Sequence, residues 1–267
     1  MARKKVLLSW SGGKDSAWAL HLLRQDASIE VVALLTTINE VFRRVAVHGF
    51  REELLDRQAI ATGLPLWKID LPWPCTNDIY EAKMADACKR MVAEGIEAVA
   101  FGDLFLEDIR AYRIAKLNGT GLEPLFPVWG IPTDALANQM LAGGLRARLT
   151  TVDPRHLDAS FAGREFNADL LRDLPATVDP CGERGEFHSF CFAGPMFTHD
   201  IPVEYTHTVL RDLPASVDPC GERGEFHSFC FAGPMFAHDI PVEYTHTVLR
   251  DGFAYADLIP AVVSAAV

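Results

Sequence analysis

The chain lacks the features that would assign it quickly. Its 6 cysteines and 9 histidines include no Cys-x-x-Cys pair and no grouping at zinc-site spacing, so Cys75, Cys88, Cys181, Cys191, Cys220 and Cys230 read as reduced thiols. No apolar run is long enough for a membrane span or a signal-peptide core. Met1-Ala2-Arg3-Lys4-Lys5 leads into only about five apolar residues, and a cytoplasmic location is expected. Positive charge is scarce: Lys and Arg number 25 against 36 Asp and Glu, net −11. The surface as a whole repels nucleic acid, although a local basic patch stays open. The commoner phosphate loop is also missing, because it needs four residues between its first glycine and the Gly-Lys pair.

What is present is 267 residues that are 49% hydrophobic, enough for one large or two modest domains with a full core. Near the start stands Ser11-Gly12-Gly13-Lys14-Asp15-Ser16, after the apolar Val6-Leu7-Leu8 and before the helix-like Ala17-Trp18-Ala19-Leu20. Strand, glycine turn and helix start make a phosphate cradle, because glycines let backbone N–H groups aim at an anion beside the positive helix end.

Apolar periodicity places strands at residues 5–9, 30–38, 66–71, 98–102 and 124–129. Helices are expected at 15–25, 50–62, 77–94 and 108–118, with Tyr80, Met84, Ala87 and Met91 on one stripe of the third. The alternation predicts an α/β fold: a doubly wound, five-stranded parallel sheet covered on both faces. Ligands of such sheets bind beyond the carboxyl ends of the strands. That singles out residues 11–16, then Thr36, Thr37, Asn39 and Glu40, then Gly102, Asp103, Glu107 and Asp108. Beyond residue 130 the pattern changes to a smaller α+β lobe: helices at 131–143 and 167–173, a strand at 146–152, and extended segments at 185–192 and 203–209. The expected division is residues 1–130 for nucleotide binding and 131–267 for the acceptor.

That lobe carries a tandem duplication. Residues 171–209 recur as 210–248 with 37 of 39 positions identical; only Thr177/Ser216 and Thr198/Ala237 differ. Copy one is entered through a helical approach, Phe166-Asn167-Ala168-Asp169-Leu170. Copy two runs through Val248-Leu249-Arg250 into Asp251-Gly252 and Phe253-Ala254-Tyr255, a hairpin signature. The front of copy one and the back of copy two are therefore expected to build the lobe between them. Near-identical copies also leave alternative threading and strand exchange in a homodimer open.

The six-residue loop resembles that of the ATP pyrophosphatase (PP-loop) superfamily, which is HUP-like in fold and cleaves ATP between its α and β phosphates. Together with Phe101-Gly102-Asp103-Leu104-Phe105-Leu106-Glu107-Asp108-Ile109-Arg110-Ala111-Tyr112-Arg113, Leu125-Phe126-Pro127-Val128-Trp129 and Gly182-Glu183-Arg184-Gly185-Glu186-Phe187-His188, it resembles the diphthine–ammonia ligase (diphthamide synthase) family. The resemblance implies that ATP adenylates a carboxylate with loss of pyrophosphate, and that ammonia then displaces AMP to give an amide. The family's acceptor is the diphthine of elongation factor 2, and no membrane is involved.

On this reading Ser11, Gly12, Gly13, Lys14, Asp15, Ser16, Thr36 and Gly102 bind the nucleotide, with Lys14 stabilising charge on the departing pyrophosphate. Asp15 and Asp103 are the candidates to hold Mg²⁺ beside phosphate oxygens, Asp15 having a helix N-cap as its alternative. Arg110 and Arg113 share a helix face suited to gripping carboxylate or phosphate, with Tyr112, Glu107 and Asp108 beside them. Glu183 is expected to bind a cationic group, and Glu186 and His188, two apart on an extended segment, to take a proton. Lys14, Asp103, Glu186 and His188 are thus the catalytic candidates. Glu222, Glu225 and His227 repeat this set in copy two, and His48 reads as structural. Arg184 and Ile114 stand where the family more often has a small or amide residue and a glutamate, which leaves the acceptor's identity open. A tRNA-modifying PP-loop enzyme and a non-catalytic ATP- or AMP-binding module are the alternatives.

Overall fold

The computed structural model describes residues 2–41, 43–45, 50–203, 242–250 and 253–260. Residues 1–201 form one compact unit and 202–267 another. His48 and most of copy two, Glu222, Glu225 and His227 included, lie outside the described residues.

In the first unit, strands and helices alternate in the order β1 (Lys4–Ser9), α1 (Lys14–Gln25), β2 (Ile29–Asn39), β3 (Arg44–Val45), α2 (Glu52–Thr62), β4 (Leu66–Leu71), α3 (Asn77–Ala93), β5 (Ala98–Ala100), α4 (Glu107–Leu117) and β6 (Glu123–Leu125). The parallel strands lie side by side as β4-β2-β1-β5-β6. The sheet has six strands rather than the five expected, because β2 runs past the end of β1 and there pairs antiparallel with the two-residue β3 at Ile38 and Asn39. For the same reason Thr36, Thr37 and Asn39 sit inside β2, bonded along β4, and not in a loop after it. β6 ends at Leu125, two residues before Pro127, whose ring offers no N–H to a ladder.

One face of the sheet presents Leu7, Ala33, Leu35, Val99 and Phe101 to Cys88 and Met91 of α3 and Leu117 of α4, with Met84 and Ala87 packed at the margin. Met84, Ala87 and Met91 are three of the four residues on the stripe that helical spacing singled out, and Tyr80 is not part of this cluster. Val6 and Leu8, on the other face by strand alternation, are fully buried on the side that α1 covers.

The chain continues through α5 (Thr133–Ala142), β7 (Arg146–Val152), α6 (Ala168–Asp173) and β8 (Phe187–Ala193), with β7 and β8 paired antiparallel. Asn167 caps α6 by accepting the N–H of Leu170 at 2.9 Å. In the second unit β9 (Val242–Arg250) and β10 (Phe253–Pro260) pair antiparallel from Arg250 opposite Phe253. The expected Asp251-Gly252 turn and the rest of the 203–209 strand fall outside the described residues. Among the described residues no helix is long and apolar enough to cross a membrane.

Candidate functional site

The loop between β1 and α1 is held from behind by two other elements. Gly12 has φ +78, open to glycine, and a Cβ there would lie 2.3 Å from the Phe50 ring and 2.7 Å from Gln58 Oε1. Gln58, fully buried on α2, donates Nε2 to Gly12 O at 2.8 Å and to Cys191 O at 2.7 Å, and accepts Trp10 Nε1 at 2.9 Å. Cys191 N–H donates to Gly12 O at 2.9 Å, and Lys14 N–H donates to Ser189 Oγ at 3.2 Å. β8 therefore runs along the loop and fixes its carbonyl side inward. Ser11 Oγ accepts Gly13 N–H at 3.3 Å, and Ser16 Oγ donates to Gly13 O at 3.1 Å. No side chain caps α1; Asp15 stands in its first turn and is not the N-cap.

Lys14 does not project from the loop. It is 2% exposed, with its ammonium bonded to Cys181 O and to Asp15 Oδ2 at 2.9 Å, 5.2 Å from the Phe187 ring centre and 5.7 Å from that of Phe166. Burial disfavours its charge, but Asp15 and other negative groups prevail and hold its pKa above the ordinary lysine value. Burial likewise raises the Asp15 carboxyl, against the pull of Lys14. Lys14, expected to face the leaving group, is in this structure paired with Asp15 and tied to the second lobe through Cys181 O.

After β5 the chain turns at Gly102, tight against the start of α1, and presents Asp103. Burial pushes the Asp103 carboxyl up, and Arg113, whose Nε lies 3.5 Å from Oδ2, opposes this. From the second lobe Glu183 reaches the same loop, accepting Leu104 N–H at 2.8 Å. Burial pushes its pKa up to about 7, with Asp15 and Asp103 adding repulsion and the Leu104 N–H opposing. Three carboxylates thus converge at the carboxyl ends of β1 and β5. Asp15 Oδ1, Asp103 Oδ2, Arg110 Nε and Arg113 Nε are buried there without a hydrogen-bond partner. No group of three or more acidic, histidine or cysteine side chains is arranged to ligate a metal among the described residues.

The remaining expected residues separate by role. Arg110 stacks over Trp129 at 4.7 Å and Phe126 at 5.4 Å, and Arg113 over Phe101 at 4.8 Å; aromatic backing fixes both guanidinium planes. Glu107, Asp108 and Tyr112 are exposed on α4. Thr36 is buried within β2.

Glu186, expected to take a proton, directly precedes β8. It is buried, and its oxygens accept Asp179 N–H and Arg184 N–H, each at 3.0 Å, so it braces the turn that carries Glu183. Asp179 completes the brace, accepting Cys181 N–H at 2.9 Å and Thr133 Oγ1 at 2.6 Å. Phe187 and Ser189 meet Lys14, so alternation along β8 puts His188 on the opposite face. Burial and then the Lys14 charge hold the His188 pKa below the ordinary histidine value.

Gln58, Ser189 and Asp179 escaped the sequence reading, because each acts on backbone groups whose position only tertiary packing defines. A surface cavity of about 810 Å³ lies between α4 and β6, lined by residues such as Ile114, Leu117 and Pro124. It touches none of these groups.

Two domain families match the chain: the diphthamide synthase N-terminal domain over residues 4–120 and the diphthamide synthase C-terminal domain over residues 133–213. A diphthine–ammonia ligase of Danio rerio is 28% identical over 227 residues, covering 74% of this chain and 86% of that protein. Among solved structures, a U34-tRNA thiolase from Methanococcus maripaludis with its [4Fe-4S] cluster is 19% identical over 53% of this chain and 58% of its own, at a TM-score of 0.34. That likeness is too distant to bear on fold or activity.

Proposed function

The chain belongs to the diphthamide synthase family, and from that premise we propose that it is an ATP-dependent ligase joining ammonia to a carboxylate, with residues 1–130 holding the nucleotide and residues 131–267 the acceptor. The observation that carries the reading is the meeting of Asp15, Asp103 and Glu183, from three separate segments, with two aromatic-backed arginines beside a glycine loop at the strand ends.

In the reaction we infer, a carboxylate oxygen of the acceptor attacks the α-phosphorus of ATP, and the bond to the β-phosphate breaks to release pyrophosphate. Ammonia attacks the adenylated carbonyl carbon, the C–O bond to AMP breaks, and the amide is left. The backbone N–H groups of the loop at Ser11, Gly12, Gly13 and Ser16, with the helix end behind them, offset charge on the phosphates. Thr36 and Gly102 border the nucleotide. Arg110 and Arg113 grip the acceptor carboxylate or the α-phosphate through their paired donors, with Glu107, Asp108 and Tyr112 at the rim.

Asp15 and Asp103 would be the residues to hold Mg²⁺, since Asp15 keeps a buried oxygen without a hydrogen bond, Asp103 Oδ2 faces Arg113 Nε at 3.5 Å rather than a hydrogen-bond partner, and the ion takes one or two carboxylates with phosphate oxygens. Held there, it would neutralise charge on the phosphates. Glu183, with a proton affinity near neutrality, binds the ammonium and takes its proton, replacing Glu186 and His188 in that task. The diphthine of elongation factor 2 is the acceptor we expect. Incubation with Mg-ATP, ammonium and that acceptor should yield amide, AMP and pyrophosphate in equal amounts. ADP, or tight AMP binding with no turnover, would overturn the reading.

A further inference from the structure

The turn that carries Glu183 also carries an arginine to which the reaction proposed above gives no task. Arg184 stands where the family more often has a small or amide residue. Its backbone is held by the brace, with its N–H donated to Glu186 Oε2 at 3.0 Å, between Gly182 at φ +69 and Gly185 at φ +86. Its guanidinium lies over the Phe105 ring, 5.4 Å from the ring centre. Phe105 follows Leu104, whose N–H Glu183 accepts at 2.8 Å. Neighbouring side chains of the turn thus meet neighbouring residues of the loop after β5.

Burial orders these groups from inside to outside: Leu104 is fully buried, Glu183 and Phe105 are half-buried, and Arg184 is exposed. Arg184 joins Arg110 and Arg113 as an arginine backed by an aromatic ring. Those two face acidic side chains, Arg113 meeting Asp103 at 3.5 Å and Arg110 meeting Glu107 at 3.9 Å. Among the described residues no acidic side chain pairs with Arg184. A guanidinium steadied by a ring and a braced backbone, with no acidic partner of its own, is prepared for an incoming carboxylate or phosphate. Inward of it stands Glu183, which Asp15 and Asp103 in turn repel, so a nucleotide phosphate is the weaker candidate. Its exposed head faces what arrives from solvent. We propose, resting on the ligase reading above, that Arg184 selects the acceptor by binding an acidic side chain that the acceptor polypeptide carries beside the residue to be amidated.

Titration calorimetry with diphthine-bearing elongation factor 2, without nucleotide or ammonium, reads this contact apart from the reaction. Arg184→Gln keeps the length and loses the charge, and should weaken binding by about tenfold, the scale of one charged hydrogen bond. Arg184→Lys should recover part of that loss, because it keeps the charge without the planar fork. Phe105→Leu keeps the guanidinium and removes its platform, and should weaken binding by about threefold. Arg172→Gln is the control: it removes an equal exposed charge from α6 and should bind within about twofold of the parent. In turnover with Mg-ATP and ammonium, Arg184→Gln should raise the KM for the acceptor by about the same tenfold factor, with the KM for ATP held. Unchanged binding by Arg184→Gln overturns the proposal. So does an equal loss in Arg172→Gln, which would assign the effect to net charge, or a rise in the KM for ATP alone, which would set a phosphate against Arg184. A parent that binds the factor but forms no AMP contradicts the ligase reading, while the binding comparison still decides the role of Arg184; a parent that does not bind it overturns both.

Discussion

Gly102, after β5, packs tightly against the backbone at the start of α1, and Gly102→Ala tests whether that closeness matters. A Cβ built there would lie 3.0 Å from Ser16 N, 3.1 Å from Asp15 C and 3.2 Å from Ser16 Cα, all of them backbone. Ordinary contact begins near 3.4 Å, so the first turn of α1 has to retreat by a few tenths of an ångström. It cannot do so freely. Lys14 N–H is bonded to Ser189, and Gly12 O to both Gln58 and Cys191, so the strain spreads into the loop that we assign to phosphate. Overpacking of this kind costs about 1–3 kcal/mol. Part of it should appear as lost stability and part as weakened nucleotide binding. Thermal unfolding should show a melting temperature lower by about 5 °C, and titration calorimetry an ATP affinity lower by about tenfold, a change of about 1.4 kcal/mol. Gly119→Ala is the control, because nothing lies within 4 Å of a Cβ there and only its positive φ is strained. An ATP affinity for Gly102→Ala within twofold of the parent would refute the argument that this contact sets the loop.

Glu183→Gln should flatten the pH dependence of stability. The folded carboxyl holds its proton up to about 7 against an ordinary value of 4.5, so the folded state binds the extra proton and stability falls as pH rises between those values. The loss should be on the order of 1–2 kcal/mol after screening of a partly exposed group; a denaturation series from pH 5 to 8 that matches the parent's would contradict it. The same variant should lose the rise in rate near pH 7. Lys14→Met leaves Asp15 without its counter-ion and should cost about 3 kcal/mol in urea unfolding; unchanged stability would mean that the ammonium is not the anchor described. Gln58→Leu strands Trp10 Nε1 and Cys191 O in the interior and should cost about 3 kcal/mol, with a higher KM for ATP and little change in the KM for ammonium. Equal changes in both would assign Gln58 a purely structural role.

Much of the parallel-sheet half was legible in the sequence because it rests on local signals. Residues 66–71 form a strand with the expected bounds, as do residues 146–152 beyond it, and Met84, Ala87 and Met91 of the α3 stripe meet the core. Where local pattern and long-range pairing compete, the reading falls short. Residues 36–39 look like the end of a strand followed by a polar loop, yet pairing with β4 carries β2 to Asn39. Lys14 reads as a phosphate ligand because it follows two glycines, and its contacts with Cys181 O and two aromatic rings of the second lobe are not legible in that spacing. Glu186 and Glu183 are chemically alike in the sequence, and only the fold of the turn makes one a brace and the other a crevice carboxylate. Spacing names the residue types of a site, but their division of labour arises from contacts between distant segments.

The central claim is that Asp103, in the carboxylate cluster at the end of β5, serves an AMP-forming amide ligation. The most direct measurement follows ³¹P products during turnover with Mg-ATP, ammonium and the diphthine-bearing acceptor, in the parent and in Asp103→Asn. The account predicts AMP and pyrophosphate in step with amide, and a rate at least about a hundredfold lower in the variant with its unfolding transition retained. ADP and phosphate as products, or an Asp103→Asn rate equal to the parent's, would contradict it.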